Sequence, residues 1–340
     1  MPFLIALATA LVLTPVAGRL GRSLGLVDRP GDDLKIHGRE IPTLGGVAVA
    51  AAMAATSLAP DVAWPAGGLT AAVAIALVAG TVDDVRPLQP VARVAALSAA
   101  GVVLVIGTGF SDLGPAAGIG IVLLVLACAN AVNILDGQDG LAAGVAAIAA
   151  LGLTACLLVE VDAVPPLTLA LGGALAGFVV WNRPPARVYL GNGGAYAVGV
   201  LLAVPAVLLT MAGGWRGLLA AGACLAVPAF EIVFTVTRRA VAREVLSAGD
   251  RFHSYDLVSA RVGRARSTAV FVVLALLGVG FGLIITVVPL PAGIAVAVVG
   301  AGLAALWGVL LWSRRAVTTW DDGRDLRRES DSCGGSAPYP

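Results

Sequence analysis

The chain has 340 residues, is 59% hydrophobic and 13% charged, and has a net charge of +1 and a mean hydropathy of +0.94. Soluble globular proteins carry about a quarter charged residues, so a soluble enzyme is excluded. Near-zero charge without a long basic stretch gives no footprint for nucleic acid.

Apolar runs of membrane length predict an all-α, polytopic integral membrane protein. In chain order the candidate spans are 3–18, 43–59, 67–82, 91–107, 117–134, 140–159, 164–181, 194–211, 217–236, 268–288 and 291–312, eleven in all, or ten if the stretch around "PDVAWPAGG" is one element. The first basic residues, Arg19 and Arg22, follow the first run, the pattern of a first membrane helix and not of a cleaved signal. Cys128, Cys156 and Cys224 lie inside apolar runs and Cys333 near the end; without CxxC spacing they read as small hydrophobes. Gly- and Ala-rich spans suit close helix packing in lipid.

Lys and Arg orient this layout. Loops after odd-numbered spans, with the tail after span eleven, hold 21 of them, and loops after even-numbered spans hold one, Arg216. The basic side of a membrane protein is cytoplasmic, so the N-terminus is expected outside and the C-terminus in the cytoplasm. Five polar stretches interrupt the apolar chain: "DDLKIHGREIPTLGG" (32–46), "GTVDDVRPLQP" (80–90), "NAVNILDGQDGL" (130–141), "RVYLGNGGAYAVG" (187–199) and "GDRFHSYDL" (249–257). All follow odd-numbered spans, which predicts one active site on the cytoplasmic face.

Asp83 and Asp84 are adjacent carboxylates at a span end. They suit Mg²⁺, a hard cation bound through oxygen, or a base raised by its neighbour's charge, and they suit equally a solvated helix end paired with Arg86. Asn130, Asn133, Asp136 and Asp139 recur in steps of three, which lines one helical face until Gly137 and Gly140 break the helix. Oxygens on such a face could ligate a metal or hold a sugar; Asn could also simply bond between helices. "GNGGAYAVG" opens a helix, where backbone N–H groups favour phosphate, and Tyr189 before it could stack on a base or sit at the membrane interface. His37 and His253 are the only histidines and Lys35 the only lysine. The arginines of 237–267 fit positive-inside anchoring or a diphosphate grip. Glu231, inside a span, is expected to pair with Arg238 and Arg239 or to snorkel.

Taken in order, "LKIHGREIPTLGG", "GTVDD", "NAVNILDGQDGLAAG", "YLGNGGAYAVG" and "RFHSYDL" resemble the polyprenyl-phosphate N-acetylhexosamine-1-phosphate transferases (glycosyltransferase family 4). The branch that moves N-acetylglucosamine-1-phosphate from UDP to undecaprenyl phosphate looks most similar, and the phospho-N-acetylmuramoyl-pentapeptide transferases share the layout. The resemblance covers about residues 20–260, and the span layout extends it to about 312. It implies one transmembrane transferase domain over 1–312, followed by a cytoplasmic tail, 313–340, whose composition reads as disordered.

The implied reaction is attack of a lipid phosphate on the β-phosphate of a UDP-amino sugar, giving lipid-diphosphate-sugar and UMP, as the first membrane step of a cell-envelope glycan pathway in a bacterial-type plasma membrane. Mg²⁺, or Mn²⁺ in its place, would neutralise the diphosphate. By resemblance Asp83, Asp84, Asp136, Asp139 and His253 are catalytic. Lys35, His37, Asn130, Tyr189, Gly191 and Arg251 bind substrate, Tyr189 by stacking on uracil, and Asn133, Asn192 and Asp84 hold the metal. A homodimer is left open.

Two positions depart from the family pattern. Gly191-Asn192-Gly193-Gly194 stands where Gly-Asp-x-Gly-Ser is usual, and "HSYD" carries one histidine where two or three are usual. The first loses a ligand charge. The alternative readings are therefore a member that binds or regulates without turnover and, third, a transporter, which would need midplane charge and repeat symmetry.

Overall fold

In a computed structural model of the protein, the described residues are 1–29, 40–59, 66–162, 166–243 and 252–288, with Pro291, Ile294, Gly302 and Gly308. The eleventh span, 291–312, and the tail, 313–340, thus lie almost wholly outside them. The helices are α1 (Pro2–Ser23), α2 (Gly45–Ser57), α3 (Ala66–Val85), α4 (Pro90–Gly107), α5 (Pro115–Leu135), α6 (Leu141–Val161), α7 (Pro166–Asn182), α8 (Gly191–Cys224), α9 (Ala226–Ala242), α10 (Ser254–Val262) and α11 (Arg264–Val287). The chain is an all-α polytopic membrane protein: seven of these helices are long and apolar enough to cross a membrane, and α2 and α7 are shorter apolar helices.

Proline opens α1, α4 and α5 at the first turn, where its missing N–H costs nothing. Hydroxyls inside the helices bond back to carbonyls four residues earlier, as Thr14 to Ala10 and Thr56 to Ala52 do, or bond across helices, as Thr154 does to Thr168 at 2.6 Å. This leaves little unpaired polarity in the hydrocarbon region. Buried faces are mostly Ala, Gly, Val and Leu, so the backbones sit close and dispersion replaces the hydrophobic effect as the packing force.

Three features differ from the sequence reading. Residues 27–28 and 41–42 form a two-residue antiparallel pair, β1 and β2, with Asp28 opposite Ile41. The ninth span, 217–236, is not one helix. The chain breaks at Gly214 (φ 58, ψ −135), runs to Cys224, and restarts at Ala226 as α9. Hydropathy sees one apolar run there because both segments are apolar. Arg216, the lone basic residue of the even loops, bonds the carbonyls of Ile285, Thr286 and Val288 (Nη2 to Val288 O 2.7 Å) and so caps the C-terminus of α11, where a cation is favoured.

The helix ends that carry the polar stretches meet at one end of the bundle. Tyr189 N–H donates to Pro42 O (2.8 Å), Gly45 N–H to Tyr189 O (3.0 Å) and Gly46 N–H to Leu190 O (2.9 Å), which stitches β2 and the start of α2 to the start of α8. A Cβ on Gly46 would lie 2.1 Å from Gly194 Cα, so this crossing tolerates no side chain. Gly46→Ala must push α2 off α8 and is expected to cost about 1–3 kcal/mol. Gly120→Ala, at a position with open space around it, should be neutral or slightly stabilising. Thermal unfolding of the two detergent-solubilised variants checks the contrast.

Candidate active site

The site is built on the start of α8. The first N–H groups of a helix have no partner within it, and here other helices supply the acceptors. Gly191 N–H donates to Asp136 Oδ2 (3.1 Å) and Asn192 N–H to Asp84 Oδ1 (3.1 Å), while Gly193 N–H also bonds Asp84. Asp84 ends α3, and Asp136 caps the C-terminus of α5. Gly191 has φ +75, and a Cβ there would meet Thr43 O at 2.2 Å, so only glycine turns the chain into this helix. The N–H groups that the sequence offered to phosphate are therefore committed to carboxylates.

The Asn192 side chain ties the rest together. Its Nδ2 donates to Asp83 Oδ2 (3.1 Å), and its Oδ1 accepts from Asn133 Nδ2. Asp83 is buried and also accepts from Tyr196 OH (3.1 Å) and from Leu88 N–H (2.7 Å). Its basic neighbour is Arg93, with Nε 3.8 Å away, and not the Arg86 suggested by sequence proximity. Asp139 accepts from Ala186 N–H (3.0 Å) and from Tyr189 OH (3.2 Å). Asp83, Asp84, Asn133, Asp136, Asp139, Tyr189, Gly191 and Asn192 thus form one connected group. Asn130 bonds instead to Leu126 O in its own helix (2.7 Å). Lys35, His37 and Arg251 lie outside the described residues.

Burial, with the charge of Asp84 next, pushes the Asp136 carboxyl well above the usual carboxylate range, against the pull of the Gly191 N–H. Asp139 and Asp28 add to the rise. Burial and the Asp139 charge likewise push the Tyr189 hydroxyl upward. Burial is the larger cause in both, so these groups sit where the charged form is poorly solvated. Among the described residues, however, no three acidic, histidine or cysteine side chains converge on a single point.

His253 sits at the start of α10, buried. Its ring stacks on Tyr255 (centroids 5.3 Å, planes 11° apart), and Tyr255 OH donates to Ile134 O (2.9 Å). This docks α10 on the turn after α5. Gln138 closes the joint: it accepts from Ser259 Oγ (2.6 Å) and donates to Thr268 Oγ1 (2.9 Å) and Arg264 O (3.3 Å). Glu231, expected beside Arg238 and Arg239, instead accepts from the His253–Ser254 turn.

Sequence reasoning passed over Asp28, Arg93, Gln138, Asn182, Tyr196 and Tyr255. Tyr196 had a visible signal, since it lies one helical turn after Asn192. Asn182, which accepts from Gly140 N–H and donates to Val188 O, had none, because its partners are brought in only by the fold.

Residues 66–210, which contain the whole connected group, match the model of glycosyl transferase family 4. A protein of Streptomyces coelicolor named as a glycosyltransferase is 32% identical over 317 residues, covering 89% of this chain and 72% of its own length. The chain belongs to glycosyl transferase family 4. The probable undecaprenyl-phosphate N-acetylglucosaminyl 1-phosphate transferase of Bacillus subtilis is 28% identical over 76% of each chain. The phospho-N-acetylmuramoyl-pentapeptide-transferase of Desulforudis audaxviator is 34% identical over 61% of this chain and 73% of its own. Both branches named by the resemblance are thus relatives of this chain.

Gln138→Leu tests the docking of α10. It removes the partner of two hydroxyls and one carbonyl in a buried position, and is expected to cost about 1–3 kcal/mol, read as a lowered melting temperature.

Proposed function

We propose that the protein transfers an N-acetylhexosamine-1-phosphate from its UDP-sugar to polyprenyl phosphate. The observation that carries this reading is the gathering of Asp83, Asp84, Asp136 and Asp139 with Asn133 and Asn192 at one end of an apolar bundle. A lipid phosphate oxygen forms a bond to the β-phosphorus of the UDP-sugar, the bond from that phosphorus to the bridging oxygen breaks, and UMP leaves with both electrons. Such chemistry demands positioning and charge compensation more than covalent help from the protein.

Asp83, aimed by Tyr196, Asn192 and Leu88 N–H, takes or orients the proton of the lipid phosphate. Arg93 beside it draws an anionic head group toward that carboxylate. Asp136 and Asp139 hold the start of α8 and Tyr189, so that the uracil side of the donor meets a fixed aromatic ring. His253 serves the sugar or diphosphate end. The hard oxygens of Asp84, Asn133 and Asn192 fit Mg²⁺ or Mn²⁺, which takes one or two protein carboxylates and completes its shell with water and phosphate. A bound cation nearby would favour the ionised Asp136 carboxylate that burial, and then the Asp84 charge, disfavour. When bound, the cation would offset charge on the diphosphate and on the departing UMP. The Lys and Arg asymmetry supports a site facing the cytoplasm, with the N-terminus outside.

One observation favours a second reading, a member that binds without turnover. Asn192 offers a neutral amide, and that amide is bonded to both Asp83 and Asn133.

Purified protein with undecaprenyl phosphate, Mg²⁺ and a panel of UDP-amino sugars is expected to release UMP. Asp83→Asn and Asp84→Asn should each lower the rate by at least about a hundredfold, the scale of a lost proton-transfer group. No UMP from any donor, with Asn192→Asp restoring release, would establish the second reading. An unchanged rate in Asp83→Asn would show that the chemistry lies elsewhere. Sidedness is read by single-cysteine labelling: a cysteine at position 87 should react only from the cytoplasmic side and one at 216 only from outside.

A further inference from the structure

Glu231 is fully buried in α9, in a chain where an acidic side chain at membrane depth is costly. Its partners explain its presence. Oε1 accepts from Ser254 N–H (3.2 Å), lies 3.1 Å from His253 Nδ1 and receives Thr235 Oγ1 at 3.5 Å, and Oε2 accepts from Ser254 Oγ. Thr235 Oγ1 also lies 3.1 Å from His253 Nδ1; because the carboxylate only accepts, a proton on Nδ1 serves Glu231 while the Thr235 hydroxyl turns its own proton to Oε1. Asp256 Oδ2 fixes the same turn from the other side by accepting from His253 N–H (3.4 Å). The stacked Tyr255 ring sets the plane of the imidazole, and Tyr255 OH ties that plane to the turn that carries Asp136.

We infer that Glu231 is a positioning residue that holds His253 as the Nδ1–H tautomer, so that Nε2 is the nitrogen that meets substrate. A carboxylate behind an imidazole fixes the ring and its tautomer in this way in metal sites and in catalytic triads. An anchor that served only to pin α10 would need no ionisable group, since Ser254 and Thr235 could bond a neutral amide at lower desolvation cost. The inference rests on the reading that His253 belongs to the transfer site.

With only two histidines in the chain, the tautomer can be read directly. In a His37→Gln background, ¹⁵N-histidine labelling leaves His253 as the single imidazole. With the pH raised until its ¹⁵N shifts stop changing, so that the ring is neutral, its ¹⁵N spectrum should show a protonated Nδ1 and an unprotonated Nε2. Glu231→Asp should keep this pattern, and Glu231→Gln should move it toward the average of the two tautomers. An Nε2–H form in the parent, or an unchanged pattern in Glu231→Gln, overturns the inference whether or not the protein turns over.

Kinetics supply the second arm, with His37 intact. Glu231→Gln should lower kcat for UMP release about 10- to 100-fold with less change in KM for the UDP-sugar, and Glu231→Asp should recover most of it. Introduced into His253→Gln, the same Glu231→Gln change should cost less than about twofold, because residues that act as a unit are not additive. Equal losses in both backgrounds would mean that Glu231 only supports the fold, and overturn the inference. If His253→Gln turns over like the parent, the placement of His253 in the transfer site fails, while the spectrum still decides what Glu231 does to the ring.

Discussion

The arrangement depends on how the first turn of α8 is capped. A helix that starts inside a membrane protein has N–H groups that water cannot reach freely, and leaving them unpaired costs several kcal/mol. Its own N-cap residue is Leu190, which has no side-chain acceptor. Asp84 from α3 and Asp136 from the end of α5 fill that role in trans. The positive end of the helix dipole in turn offsets their charge. Helix and carboxylates are therefore each other's compensation, and three helices are fixed in register at the place where the polar residues collect.

This explains how much of the site could be read from the chain. Aspartates at apolar span ends, Asn133 three residues before Asp136, and a glycine run opening a helix are local patterns, visible in order along the sequence. The use to which they are put is not local. The glycine run pointed to phosphate because helix starts generally bind anions. Here the anions are two of the protein's own aspartates, and nothing in "GNGG" shows that Asp84 and Asp136 will arrive. Arg93 was hidden for the same reason: Arg86 is nearer Asp83 in sequence, but Arg93 reaches it after the turn into α4. The spans were legible because hydropathy is additive along a helix. The one that failed, 217–236, contains a helix interruption at Leu225 between two apolar segments, to which hydropathy is blind.

Asn192 has a physical logic of its own at this junction. Its amide donates to Asp83 and accepts from Asn133 in the same conformation, something neither a carboxylate nor a hydrocarbon can do. An aspartate at 192 would set a second carboxylate about 3 Å from Asp83 in a poorly solvated place, and at that range one of the two must be protonated or bridged by a cation. With asparagine, Asp83, Asn192 and Asn133 are joined through hydrogen bonds alone. A neutral residue there lowers the electrostatic demand for a cation at rest, and it leaves Asp84, bonded to main-chain N–H groups, as the carboxylate among the three proposed ligands.

The second wall is held differently. Asp84 and Asp136 rest on main-chain donors of α8, which no side-chain substitution removes. The His253 wall rests on side chains: Glu231 behind the ring, Tyr255 beneath it, Gln138 at the hinge. Main-chain N–H groups fix position and favour an ionised carboxylate, but they cannot select an imidazole tautomer. A side-chain carboxylate can do so. The walls therefore divide the work as the proposed chemistry requires, with a rigid frame for the diphosphate on one side and a histidine of defined tautomer on the other. The cost of burying Glu231 in α9 is then incurred for the histidine and not for the helix in which it sits.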